Sequence, residues 1–184
     1  MVELTDLPKD LPNGDNMGSI VTQRLIFGRW SDVLQWPDIV EAPATLEDLG
    51  QVVGDIIMKD GKSCFTMYGT ENTGLLSINL VGETDGISQE CTLSLMHPGL
   101  RKKLLGFLRN VKNDDLFFLP QDAEGQFYLF GDKFRPAKLI PGEAGGTQGE
   151  TSGRKGLTLQ FLFRTNGLCV YTGDTLNILK VGSV

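Results

Sequence analysis

Between Ser63 and Met96 the chain alternates apolar and polar residues in three short runs: Ser63 to Tyr68, Leu75 to Val81, and Gln89 to Met96. The first stops at Gly69 and the second at Gly82. Side chains of a strand point alternately to opposite faces, so such runs suit a half-buried sheet rather than the stripe of a helix. Glycine supplies the punctuation, at 23 of 184 residues, about 12.5 % where about 7 % is usual. The chain is therefore expected to be mainly β, with many short elements joined by tight turns.

Further strands follow from the same signals. Ser19 to Phe27 is β-branched and aromatic and halts at Gly28; Asp55 to Met58 precedes a hairpin signal at Lys59-Asp60-Gly61. Leu116 to Leu119 and Gln126 to Phe130 bracket Asp122-Ala123-Glu124-Gly125, where glycine suits a positive φ. Ala137 to Ile140 follows Pro136, and Leu157 to Arg164 and Leu168 to Thr172 flank Asn166-Gly167, the strongest hairpin signal in the chain. The total is about nine to ten strands, a count typical of barrels and sandwiches.

The period changes once. After His97-Pro98, apolar residues recur at Leu100, Leu104, Phe107 or Leu108, and Val111, with Arg101, Lys102, Lys103, Arg109 and Lys112 opposite. Proline suits a first helical turn, so one flanking α-helix is predicted at about 97–110.

Three stretches fall outside this scheme. Residues 1–18 are polar apart from Leu4, Leu7 and Leu11 and carry Pro8 and Pro12, which predicts an extended N-terminal arm. The connection 28–54 holds two prolines and a short capping-box pattern at Thr45 to Asp48. Residues 142–153 are polar and Gly-rich and are expected to form a mobile loop. The remainder, 19–184, reads as a single domain, long enough for a real core.

Charge and composition exclude several functions. With 17 Lys plus Arg against 23 Asp plus Glu, the net charge is −6, and a protein that grips nucleic acid through its phosphates would be basic. Three cysteines, Cys64, Cys91 and Cys169, lie in apolar runs and do not form an even-numbered disulfide framework, so buried thiols in a reducing compartment are expected. No apolar run suggests a signal peptide or membrane helix, which predicts a soluble protein made in a cytoplasm.

No catalytic pattern emerges. His97 is the single histidine, which excludes sites needing two and leaves one candidate for any nucleophilic relay. Gly69-Thr70-Glu71-Asn72-Thr73-Gly74 matches half of a phosphate loop, but Leu75 stands where lysine belongs. The Gly142 to Gly149 stretch lacks dinucleotide spacing, and the pairs Asp114-Asp115, Glu47-Asp48 and Glu83/Asp85 read as solvated surface. The expectation is a protein without enzyme activity, cofactor or metal. Trp30 and Trp36 lie in the irregular connection, where they either fold onto their own core or anchor a neighbouring subunit.

Taken in order, these features resemble the tail tube proteins of long-tailed bacteriophages and related injection machines. The carrying residues are the strand reaching Phe27, then Asp32-Val33, Trp36-Pro37, the strands Cys64 to Tyr68 and Leu75 to Gly82, and Leu108-Arg109-Asn110. They continue through Asp122 to Gly125, Phe127 to Gly131, Ser152 to Phe161 and Val170 to Gly173, so that the resemblance spans about residues 20–175. It implies a structural virion protein, a tube subunit whose barrel or sandwich closes as a ring of copies, expected to be hexameric. Stacked rings, in contact with other tail proteins, would conduct DNA without binding it. Six copies would carry 6 × −6, about −36 charges, a field that repels DNA. Trp30, Trp36, Gly145, Gly146 and Thr147 are the candidate inter-subunit contacts. Two alternatives stay open: a related ring-forming terminator or connector, and a monomeric β-barrel that binds a small ligand or carbohydrate, with Trp30, Trp36 and Tyr68 lining its pocket.

Overall fold

A computed structural model describes residues 24–141, 145–146 and 156–179. The predicted arm 1–18, most of the 142–153 loop, and Thr147 lie outside the described residues. The strands are β1 (Arg24–Arg29), β2 (Val33–Gln35), β3 (Asp38–Ile39), β4 (Gln51–Val53), β5 (Ile57–Met58), β6 (Phe65–Tyr68) and β7 (Leu75–Val81). They continue as β8 (Ser88–Pro98), β9 (Leu116–Leu119), β10 (Phe127–Leu129), β11 (Lys138–Leu139), β12 (Gly145–Gly146), β13 (Gly156–Thr165) and β14 (Cys169–Tyr171). Two α-helices, α1 (Leu46–Leu49) and α2 (Lys102–Val111), complete the set with a 3-10 turn over Trp30–Asp32. The expected mainly β architecture is present, and its sheets are sandwich-like. A closed barrel is absent among the described residues, because the sheets end in open edges.

The sheet β6-β1-β9 forms the middle layer. Its alternating faces feed two separate cores. Leu25, Met67, Leu116 and Phe118 pack with β8 residues Cys91, Leu93 and Leu95, β13 residues Leu157, Leu159, Phe161 and Phe163, and helix residues Leu104 and Val111. On the other face Ile26, Phe117 and Leu119 meet Val33, Val52, Ile56, Cys64, Leu129 and Tyr171. This explains the continuous apolar run Leu116–Leu119: a strand covered on both faces has no polar side. Phe118 packs against Phe161 in the first core, their ring centroids 4.3 Å apart and the planes tilted by 44°, while Phe117 meets Trp36 edge-on at 5.2 Å in the second.

Gly28 lies opposite Phe117 in the β1–β9 register. A Cβ at Gly28 would sit 2.6 Å from the Phe117 ring, so the middle layer holds its large aromatic because its partner has no side chain.

The largest sheet runs β11-β13-β8-β7, with β12 also pairing β13. The β8–β13 ladder extends from Gln89↔Thr165 to Pro98↔Gly156. The structure therefore corrects the helix expected at 97–110. His97 and Pro98 are the last residues of β8, held by the long partner strand β13, and proline is tolerated there because a strand end need not donate its N–H. Gly99, at φ +79°, turns the chain, and α2 begins at Lys102.

Two expected hairpins are also corrected. Residues 59–62 do form a turn, with Lys62 N–H donating to Lys59 carbonyl at 2.9 Å and Gly61 at φ +71°. It joins two sheets instead: β5 pairs with β2, and β6 with β1. Asn166-Gly167 likewise links β13 to β14 of the four-stranded sheet β10-β14-β4-β3, and Thr165 Oγ1 accepts the Gly167 N–H. The Asp122–Gly125 hairpin is as expected, with Gly125 at φ +93° and Phe118 and Phe130 exchanging backbone hydrogen bonds. The 28–54 connection is no plain loop, since it carries β2, β3, α1 and β4. Its capping box is present: Thr45 Oγ1 accepts from Asp48 N–H while the Asp48 carboxylate accepts from Thr45 N–H. The backbone N–H groups of Thr45 and Ala44 hold the Asp48 carboxyl below its usual range.

Helix α2 begins against its own dipole. Arg101 is the N-cap residue with no capping bond, Lys102 and Lys103 follow, and the first turn holds no acid. Cations at a helix N-terminus are unfavourable by about 0.3–1 kcal/mol each at low ionic strength. Lys102→Glu is expected to raise stability by a similar amount, read as an upward shift of the urea midpoint; an unchanged or lower midpoint contradicts this reading.

Candidate functional site

The edge strand β7 is seven residues of Leu, Ser, Ile, Asn and Val with no charge. One side pairs with β8 from Leu75↔Ser94 to Val81↔Ser88; the other side has no partner strand among the described residues. Native edge strands are usually shortened, charged or covered, because an open row of N–H and C=O groups invites another strand. Among the described residues none of these devices is used. Ile78 and Leu80 point to the core side of the sheet yet are 52 % and 71 % exposed, because the first core ends beneath Leu76. Leu75, Val81 and Ile87 of the same hairpin are also exposed. Sequence alternation found the strand but not its uncovered apolar side, which depends on where the core stops.

The outward face of this sheet is polar and close to neutral. Ser77, Asn79, Thr92, Ser94, Thr158 and Gln160 alternate with the buried positions of β7, β8 and β13, interrupted on the same face by Leu75, Val81, Met96 and Leu162. Its acid Glu90 is bridged to Arg164 at 2.9 Å, and Lys138 to Asp115 at 3.2 Å. The remaining pairs singled out in the sequence also lie at the surface: Asp114 pairs with Arg29 at 2.8 Å, and Glu83 and Asp85 belong to the β7–β8 turn. Five cations, Arg101, Lys102, Lys103, Arg109 and Lys112, make no ion pair among the described residues.

The candidate contact residues are spread over the fold. Trp30 and Trp36 lie 6.1 Å apart, half-buried on the second core, and Trp30 Nε1–H donates to Asp132 carbonyl at 2.6 Å. Tyr68 stands on β6, in a different sheet region, so these three do not converge on one pocket. Gly145 and Gly146 pair with Leu157 and Gly156 of β13, giving that part of the predicted loop a strand partner. Gly69 to Gly74 is the β6–β7 turn, with Thr73 Oγ1 donating to Thr70 carbonyl at 2.6 Å, and offers no phosphate loop. His97 Nδ1 faces its neighbour's carbonyl, Pro98 O, at 3.0 Å.

A groove of about 520 Å³ opens at the end of the sandwich where β1 finishes. Ile39, Leu49 and Phe134 rim it, with Phe134 73 % exposed; Leu129, Val52 and Phe163 form its floor, and Lys133 and Arg135 stand at its edge. Asp132 Oδ1 is taken by the N–H groups of Phe134 and Arg135, at 2.7 and 2.8 Å. Among the described residues, no group of three or more His, Cys, Asp or Glu could hold a metal.

Cys64 and Cys91 are buried as expected, whereas Cys169 is only half-buried and lines the groove. Burial pushes the Cys64 thiol from its ordinary value of 9.0 up to about 12, and Cys91 up to about 11. A raised value in the folded state gives stability that is complete below pH 9 and is lost as pH rises from 9 toward about 12. At pH 8 neither Cys64 nor Cys91 should react with iodoacetamide in the native protein, and both should react in urea; mass spectrometry of labelled peptides checks this.

Tyr171 ties β14 to the second core. Its hydroxyl accepts the N–H of buried Ile56 at 3.1 Å and donates to Asp174 carbonyl at 3.3 Å. Tyr171→Phe leaves that N–H without a partner and is expected to cost about 1–3 kcal/mol in urea unfolding.

No known protein family, curated protein or solved structure matches the chain.

Proposed function

We propose that this protein is a structural subunit that assembles with copies of itself, and that the assembly is a tube of stacked rings of the tail tube kind. The observation that carries the reading is β7, a long uncharged edge with Ile78 and Leu80 uncovered. The opposite edge of the same sheet is formed by the two-residue strands β11 and β12. Pairing β7 of one copy with that edge of the next is a head-to-tail contact between different surfaces, which generates a ring when the rotation between copies closes and an open filament when it does not. It pairs the open side of β7 and covers its apolar side in one step, although next to β11 the Ala137 backbone is already taken by Leu116 of β9.

The neutral, hydroxyl- and amide-rich outer face then becomes the face such a ring presents along one wall. A surface without clustered cations has nothing to neutralise phosphates, which suits a conduit. Assembled protein is expected to bind duplex DNA more weakly than micromolar at physiological salt. Tight binding would count against a conduit.

Negative-stain electron microscopy of concentrated full-length protein tests the proposal. Rings that stack into tubes are expected. Rings that never elongate would favour a terminator or connector, and a persistent monomer would favour a ligand-binding module using the end groove.

A further inference from the structure

Helix α2 lies alongside β1 and runs the same way. Leu104 shares the first core with Leu25, the Phe107 ring meets Phe27 edge-on at 5.5 Å, and Asn110 Oδ1 accepts from the Arg29 guanidinium at 3.1 Å. The start of β1, where the described chain begins, is therefore level with the first turn of α2. Strand register agrees: Arg24 pairs with Tyr68, and Thr70 N–H donates at 2.7 Å to the carbonyl of Met96, on the strand that leads into the helix.

Away from the core, α2 leaves a stripe uncovered. Arg101, Leu105, Arg109 and Lys112 recur at four, four and three residues, so they share one side of the helix, and all four are exposed. Their cations meet no carboxylate among the described residues. The nearest acids in sequence, Asp114 and Asp115, are held by Arg29 and Lys138. Between Leu105 and Arg109 stands Gly106, an unfavourable residue inside a helix. A Cβ there would meet nothing within 4 Å, so the packing of the subunit does not require the glycine. A bare stretch of backbone suits the close approach of another chain.

The charges outside the described residues select the occupant. Residues 142–144 and 147–155 balance Glu143 and Glu150 against Arg154 and Lys155, and 180–184 carry only Lys180. Residues 1–23 alone are acidic, since Glu3, Asp6, Asp10 and Asp15 against Lys9 give 1 − 4, a net −3. Three of these acids directly precede a leucine: Glu3-Leu4, Asp6-Leu7 and Asp10-Leu11. The stripe on α2 offers the complement, cations on either side of an exposed leucine.

We propose that the stripe Arg101, Leu105, Arg109 and Lys112 is the docking site for residues 3–11 of the same chain. The carboxylates pair with the cations, and the leucines cover Leu105 and the backbone at Gly106. Residues 12–23 extend to about 40 Å, and α2 is about 15 Å long, so the whole stripe is within reach. The segment of a second copy could make the same contacts. The tether, however, gives the chain's own segment an effective concentration on the order of millimolar, which prevails in dilute protein. The contact belongs to the single subunit and stands apart from the ring reading.

Photo-crosslinking of the full chain tests this, at a dilution where sedimentation shows the subunit alone. A benzophenone amino acid replaces Leu7, and equal amounts of ¹⁵N-labelled and unlabelled protein are mixed and irradiated. Crosslinks from position 7 to peptides within Leu104 to Lys112 are expected, each joining residues of one copy. Arg109→Glu together with Lys112→Glu should lower their yield at least fivefold, and adding Asp6→Lys and Asp10→Lys should restore at least half of it. Crosslinks directed elsewhere, or joining labelled to unlabelled copies, would overturn the proposal. So would a yield that ignores the charge reversal, or a loss that the exchanged charges do not restore.

Discussion

The double variant Ile78→Lys, Leu80→Lys should fold normally and remain monomeric at concentrations where the natural chain assembles. Both side chains are more than half exposed in the isolated subunit, so the substitutions remove little of its own packing. Burying a Leu or Ile fully is worth about 1.5–3 kcal/mol; with 52 % of Ile78 and 71 % of Leu80 still exposed in the subunit, about 2–4 kcal/mol remains for the contact, so losing both weakens association by about 10 to 10³-fold. Lysine adds a second obstacle, because charge on an edge is a recognised way of blocking strand pairing. Sedimentation velocity reads the loss of assembly, and thermal unfolding of the dilute subunit should shift by only a few degrees. Assembly at the natural concentration would remove β7 from the account. Gly82, at φ +124°, is unsuitable for this test: a Cβ there would meet the Gly86 carbonyl at 2.3 Å and disturb the hairpin itself.

Phe118→Ala should be the most damaging single change to the subunit. The ring is fully buried, packs tilted against Phe161 and edge-on against Phe130, and stacks on Phe27, so it joins β9 to β1 and β13. Removing a buried Phe costs about 3–5 kcal/mol, the spread reflecting how far the cavity collapses. Here collapse is limited, because the strand is held by hydrogen bonds to β1 on one side and to Phe130 on the other. Phe65→Ala, 46 % exposed on β6, is the matched control and should cost much less. Urea unfolding of the two variants decides it. Equal losses would mean that the aromatic stack does not organise the first core.

These two residues also mark how much of the protein was legible in its sequence. The strands around Phe118 and Leu80 were visible because period-two alternation and continuous apolar runs are local properties. Partners were not local. Lys59-Asp60-Gly61 and Asn166-Gly167 carry hairpin chemistry, yet each turn passes the chain between sheets, since β1 and β4 offered better pairing than the adjacent strand. Pro98 reads as a helix start, but ten paired residues of β13 outweigh one propensity. The two tryptophans left an anchor and a place on their own core both open, and the structure sets Trp36 edge-on against Phe117 with Trp30 beside Trp36. The exposed side of β7 and the end groove depend on where two cores stop, which no window of sequence contains. Only Leu75-Leu76 and Leu80-Val81, apolar on both faces, hinted that β7 was not half solvent-facing.

The acidic composition takes a narrower meaning as well. The net charge of −6 describes the chain as a whole, whereas the outward face of the largest sheet is nearly neutral and α2 carries a cationic stripe. Weak interaction with DNA would then come from the absence of clustered cations on the sheet face rather than from repulsion by a uniformly acidic wall.

Amide hydrogen exchange over Leu75–Val81 tests the central claim most directly, compared between the dilute subunit and the assembled protein. In the subunit, the N–H groups on the β8 side should be protected and those on the open side should exchange quickly. On assembly the open-side amides should become protected by at least a hundredfold, together with those facing outward on β11. Open-side amides that exchange as fast in the assembled protein as in the subunit would contradict the account.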